Sequence, residues 1–165
     1  MQYLLIIGLI LSYSISKAQK LDMKSIRMEF KQGVQNEELC QENIQALEEY
    51  ARSPVEKGYL AAYQIFMAKH LSNPFKKLQQ FKRGKNTLED LINKNPDELE
   101  LRYIRLCIQF YAPRMLGYSS HIDQDKDFVV RNLHEMKDRE TKQLIYTYLE
   151  GTKMFTEEEL TLLRR

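Results

Sequence analysis

Tryptophan is absent from this 165-residue chain, and cysteine occurs only twice, as Cys40 and Cys107. Neither has a Cys-x-x-Cys or Cys-His neighbour, so zinc ligation and dithiol redox chemistry lack the spacing they need. A single disulfide and a pair of small buried hydrophobes both fit these positions. The second is favoured, because unpaired cysteine is among the most buried residue types. Glycine is scarce as well, with six in all and no Gly-rich phosphate loop, and neither a G-x-S-x-G elbow nor an H-E-x-x-H helix is present. His70, His121 and His134 lie on separate segments without metal-ligand spacing. No catalytic residue, metal or cofactor is therefore expected. Charge of one sign is missing too: 25 Lys and Arg stand against 23 Asp and Glu. Nucleic acid and acidic membranes call for a concentrated basic footprint, which this balance does not supply.

Long apolar runs are confined to the beginning. The stretch MQYLLIIGLILSYSISKA is apolar from Tyr3 to Leu11 apart from Gly8, then turns small and polar. That is the layout of a secretory signal peptide over residues 1–18, with Ser16 and Ala18 before the cut and Gln19 after it. Its n-region carries no Lys or Arg. A membrane span takes about 20 apolar residues, more than this run provides. With no cysteine after the cut, a lipid anchor is not expected, and neither is membrane insertion of the mature chain. Cleavage removes one base, Lys17, and leaves residues 19–165 as a single domain in the periplasm or outside the cell.

What remains is helical in pattern. Ser53-Pro54, Asn73-Pro74 and Asn95-Pro96 each place a capping residue before a proline, which signals a helix start. Val55, Tyr59, Ala62 and Phe66 follow the first; Phe75, Leu78, Phe81, Leu88, Leu91 and Ile92 the second; Leu99, Tyr103, Leu106 and Phe110 the third. These recur at helical spacing, predicting helices that end near Leu71, Asn93 and Tyr111. Upstream stripes run through Met23, Ile26, Phe30 and Val34, and through Cys40, Ile44, Leu47 and Ala51 beyond an Asn36 cap. Downstream, Ser120 with Asp123 reads as a capping box opening a helix over 121–137. Leu144, Ile145, Tyr148 and Leu149 mark another, stopped by Gly151, and Thr156 with Glu159 caps a short last one. No segment alternates as a strand does. The expected fold is all-α, with six to eight helices stacked as hairpins after the signal peptide.

The tight turn at Ser72-Asn73 makes a hairpin of the length used in stacked helical repeats. With Asn95-Pro96-Asp97 closing the unit, it resembles the tetratricopeptide-like class. A closer resemblance is carried by Gly58-Tyr59, Asn73-Pro74-Phe75-Lys76-Lys77-Leu78, Asn95-Pro96 to Ile108, and Leu116-Gly117-Tyr118-Ser119 followed by Ile122-Asp123. These residues are similar to an uncharacterised family of exported tetratricopeptide-like helical proteins of the Bacteroidetes. The resemblance implies an exported helical fold and brings no activity or site residue with it.

Three polar features compete for a role. On the otherwise apolar helix 97–111, Arg102, Arg105 and Gln109 share one face. They are the candidate lining of a groove for an anionic or peptide-like ligand, unless Glu98 pairs with Arg102 and the stripe is structural. The long connection through residues 113–120 either brings Arg114 and Tyr118 beside them or folds Met115, Leu116 and Tyr118 over the core as a plug. Asp123, Asp125 and Asp127 alternate as in a calcium loop, but Phe128 stands where that loop needs Gly and His134 where it needs Glu. At helical spacing Asp123 and Asp125 favour a helix start, and Asp127 can pair with Arg131. Finally, Lys76, Lys77, Lys82, Arg83 and Lys85 crowd one helix. With Phe75, Leu78 and Phe81 expected inward, that helix reads as a solvated face.

Together these features predict an exported non-catalytic protein that offers a helical groove to a protein or peptide of the cell envelope. The competing expectations are a small-ligand binder or small enzyme with a site in the 102–118 region, and a structural accessory of an envelope complex.

Overall fold

A computed structural model describes residues 21–164; the expected signal peptide and its Ala18/Gln19 junction lie outside them. The described chain is all-α. Eight helices follow one another: α1 (Met23–Glu29), α2 (Glu37–Tyr50), α3 (Pro54–His70), α4 (Pro74–Lys94), α5 (Leu99–Tyr111), α6 (Ile122–Asn132), α7 (Arg139–Glu150) and α8 (Glu157–Leu163). Short 3-10 turns occupy Gln32–Val34, Arg114–Leu116 and Leu133–Glu135.

The starts are set by side chains that take over otherwise orphaned amides. Asn36 accepts from Leu39, Ser53 and Glu56 form a complete capping box before Pro54, and Asn73 accepts from Phe75 and Lys76. Thr156 and Glu159 form the second box, and α7 ends at Gly151. Two starts differ from expectation. Asn95 closes α4 instead of opening α5, which begins at Leu99 under a Glu98 cap. Glu98 is thus a cap and not the partner of Arg102. The Ser120 box does not form: His121 precedes α6 without a side-chain cap, and its amide is met by the Gln109 side chain at 3.0 Å. The expected helix over 121–137 is interrupted at Leu133, where 3-10 geometry takes over.

Consecutive helices pack as hairpins, α2 on α3, α3 on α4 and α5 on α6. At Gly84 the two helices α3 and α4 approach so closely that an added Cβ would lie 2.6 Å from the Ala61 carbonyl. The central element is α5, buried from Leu99 through Gln109. Beyond the sequential pairs, α1 packs against α7, and Phe30 at the end of α1 meets rings from α3, α5 and α7. Cys40 and Cys107 are free and buried, so the disulfide alternative is not realised.

Candidate functional site

On α5 the 3 and 4 spacing of Arg102, Arg105 and Gln109 does put them on one face, and that face is covered. They are only 8%, 4% and 2% exposed. The cover is α6, whose inward stripe includes a residue that apolar patterning passes over: Asp125, fully buried between Ile122 and Val129.

Asp125 binds both guanidinium groups. Arg102 donates Nε to Oδ1, while Arg105 donates Nε to Oδ2 at 2.7 Å and Nη2 to Oδ1 at 2.8 Å. Two further donors are engaged: Arg102 Nη1 reaches the Pro96 carbonyl at 3.1 Å, and Arg105 Nη1 reaches Glu89 of α4 at 2.7 Å. The Arg102 guanidinium also stacks over Phe128. Tyr118, 3% exposed, donates its hydroxyl to the other oxygen of Glu89 at 2.6 Å and sets its ring edge against Phe81. Burial opposes the charge on Arg105, but hydrogen bonds and attraction from Asp125 and Glu89 outweigh it and raise its proton affinity. Burial, reinforced by Glu89, likewise pushes the Tyr118 hydroxyl up. Among the described residues no buried side-chain nitrogen or oxygen lacks a partner.

The groove expectation is therefore corrected for Arg102, Arg105, Gln109 and Tyr118. They form a closed network that fixes α4, α5, α6 and the 113–120 connection in register. Of the plug residues, Tyr118 is buried and Leu116 partly so, whereas Met115 is 92% exposed. Arg114 is exposed and, among the described residues, joins neither an ion pair nor the buried network. Asp127 does meet Arg131, at 3.4 Å. The stripe itself pointed to the missing counter-ion. Two arginines one turn apart on an apolar helix require a buried acid, and Asp125 continues the 3 and 4 spacing of Ile122, Val129, Leu133 and Met136.

The exposed chemistry lies on α4. Phe81, Gly84, Leu88 and Ile92 face the core, while Phe75 is 85% and Leu78 42% exposed. The cause is the three-residue spacing of 75, 78 and 81: each step falls about 60° short of a turn, so the stripe drifts out of the core. Phe75 ends on the arc that carries the exposed Lys76, Lys82 and Arg83. The first turn contains no acid to meet the positive end of the helix dipole. Tyr118 links this helix to the 113–120 connection, with Lys85 4.8 Å above its ring. No family model, curated protein or solved structure matches the chain.

Proposed function

We propose that this chain is an exported, non-catalytic interaction protein of the cell envelope, and that α4 carries its docking face. The observation behind this reading is Phe75, a large aromatic 85% exposed amid Lys76, Lys82 and Arg83. A ring in that position contributes nothing to the core, and two lysines near a helix N-terminus oppose the dipole. Local rules broken without structural return are the usual mark of a working surface. Aromatic and basic side chains together fit an acidic protein surface, with the ring as anchor and the cations setting orientation and encounter rate. Export is supported by the layout of residues 1–18. The competing small-ligand reading has lost its two central donors to the fold, since Arg102 and Arg105 are buried and engaged by Asp125, Glu89 and Pro96.

A photo-reactive residue at position 75 tests the docking reading in envelope preparations. Crosslinks should form there and disappear in the K76E/K82E/R83E variant, while a probe at the exposed Lys137, between α6 and α7, gives none. Equal labelling from both positions would overturn it.

A further inference from the structure

We infer that the α4 face docks onto the α2 face of a second copy of this chain, joining copies head to tail. The inference rests on the docking reading above and names its partner. The α2 helix carries Glu37, Glu38, Glu42, Glu48 and Glu49, all exposed, and no Lys or Arg. From Pro74 to Leu88, α4 carries Lys76, Lys77, Lys82, Arg83 and Lys85 and no acid. Ion pairs elsewhere in the fold join α1 to α7, α4 to α5 and α6 to α8, but among the described residues none uses these ten side chains. Opposite charges are thus segregated onto two helices that both pack on α3, and within one copy Glu37, Glu38, Glu42, Lys76, Lys82 and Arg83 stay exposed without an ion pair among the described residues.

The two rows also match in size. At 1.5 Å per residue, α2 is about 21 Å long and the Pro74–Leu88 stretch of α4 about 22 Å. A shallow depression on α2, lined by Glu37, Glu38, Gln41, Glu42 and Gln45, offers methylene stems to the Phe75 ring, with carboxylates placed around it. An anionic lipid surface fits less well, because the acidic row flanks the same helix α3 and the chain's net charge is only +2. Because the two faces differ, the contact is heterologous: each added copy leaves one free α4 face and one free α2 face.

Sedimentation velocity on the purified chain reads this directly. Species larger than a monomer should grow with concentration and weaken about ten-fold or more as salt rises from about 10 mM to about 150 mM, when screening shortens from about 30 to about 8 Å. Phe75→Ala should weaken association by a similar factor. K76E/K82E/R83E and E37K/E38K/E42K should each be monomeric alone. Mixed, they should associate again, because each variant's intact face meets the other's intact face and the two reversed faces are themselves opposite in charge. Far-UV circular dichroism checks that each variant is folded, and the milder K82E and E42K pair replaces any that is not. A chain that is monomeric at low salt, a mixture that does not associate, or Phe75-dependent binding to anionic vesicles in place of self-association would each overturn the inference. If the chain is monomeric while position 75 still crosslinks in the envelope, the second copy is the wrong partner and the docking reading stands. Loss of both removes both.

Discussion

Asp125 has no exposed surface, and its carboxylate is shared by two guanidinium groups. Such an arrangement contributes little net stability, since desolvating three charges cancels most of their attraction, but it is costly to break. Asp125→Ala should destabilise the protein by about 3–5 kcal/mol in urea unfolding, because Arg102 and Arg105 would be left buried and unmatched. Replacing all three, as R102M/R105M/D125L, should recover most of that loss; Glu89, whose side chain is 22% exposed, is able to turn to water. If the triple variant were as unstable as the single one, the network would be contributing net stability after all. The thiols make a second test at this scale. Burial, helped by the nearby Glu37 charge, pushes the Cys40 thiol up to about 12, and burial pushes Cys107 up as well. Neither should react with an alkylating reagent at mild alkaline pH until the chain is unfolded, when both should react; labelling of the native protein would contradict the buried placement.

At the scale of the element, the caps and the glycine contact decide where helices begin and how closely they approach. Ser53→Ala removes the hydroxyl that accepts from Glu56 and should cost about 1 kcal/mol, measured as a lowered melting temperature. Gly84→Ala should be worse than a helix propensity scale suggests. Its methyl would meet backbone at Ala61 and the Ile65 side chain at 2.7 Å, so α3 and α4 must separate, whereas at Gly58 the obstacle is the movable end of Leu101. Asp138, the α7 cap, is held below its ordinary 3.8 by hydrogen bonds from the Thr141 hydroxyl and amide, and Asp22 at α1 is lowered by Ser25 in the same way. Their folded forms bind a proton less readily than the unfolded chain does. The stabilisation is therefore present above the ordinary carboxylate value and disappears as pH falls through and below it. These local features were legible in sequence because capping is chemistry between neighbours: Asn36, Ser53, Asn73 and Thr156 act where their residue types predicted. Asn95-Pro96 and Ser120 were misread because a distant group or a competing turn took the amide first. Likewise, the inward direction of Phe75 could not be read from spacing alone, since Gly84, which carries no hydrophobic signal, fixes the core face of α4.

The whole molecule is not an open stack of hairpins in its energetics. In a solenoid each unit touches only its neighbours, and its ends fray independently. Here the first helix reaches across to the fifth and the seventh, and two sets of contacts tie it there. Arg27 of α1 grips Glu100 on α5 with Nε and with Nη2, the latter at 3.0 Å, and Glu100 also accepts the buried Tyr59 hydroxyl at 2.8 Å. One turn on, Phe30 is 1% exposed and lies 5.4 Å from Tyr59, 6.1 Å from Tyr103 and 6.0 Å from Tyr148, ring centre to ring centre. Elements far apart in sequence are thus made mutually dependent, so unfolding should be a single transition by both circular dichroism and tyrosine fluorescence. Phe30→Ala should cost about 3–5 kcal/mol, as expected for a large buried aromatic. More discriminating is where the loss is felt. If the ends are coupled as described, hydrogen exchange in that variant should quicken in α7 as well as α1, because Tyr148 loses one of its two ring partners and the Arg27 anchor loosens. Protection lost in α1 with α7 unchanged would mean that the first helix is only an appendage, and that the hairpins stand without it.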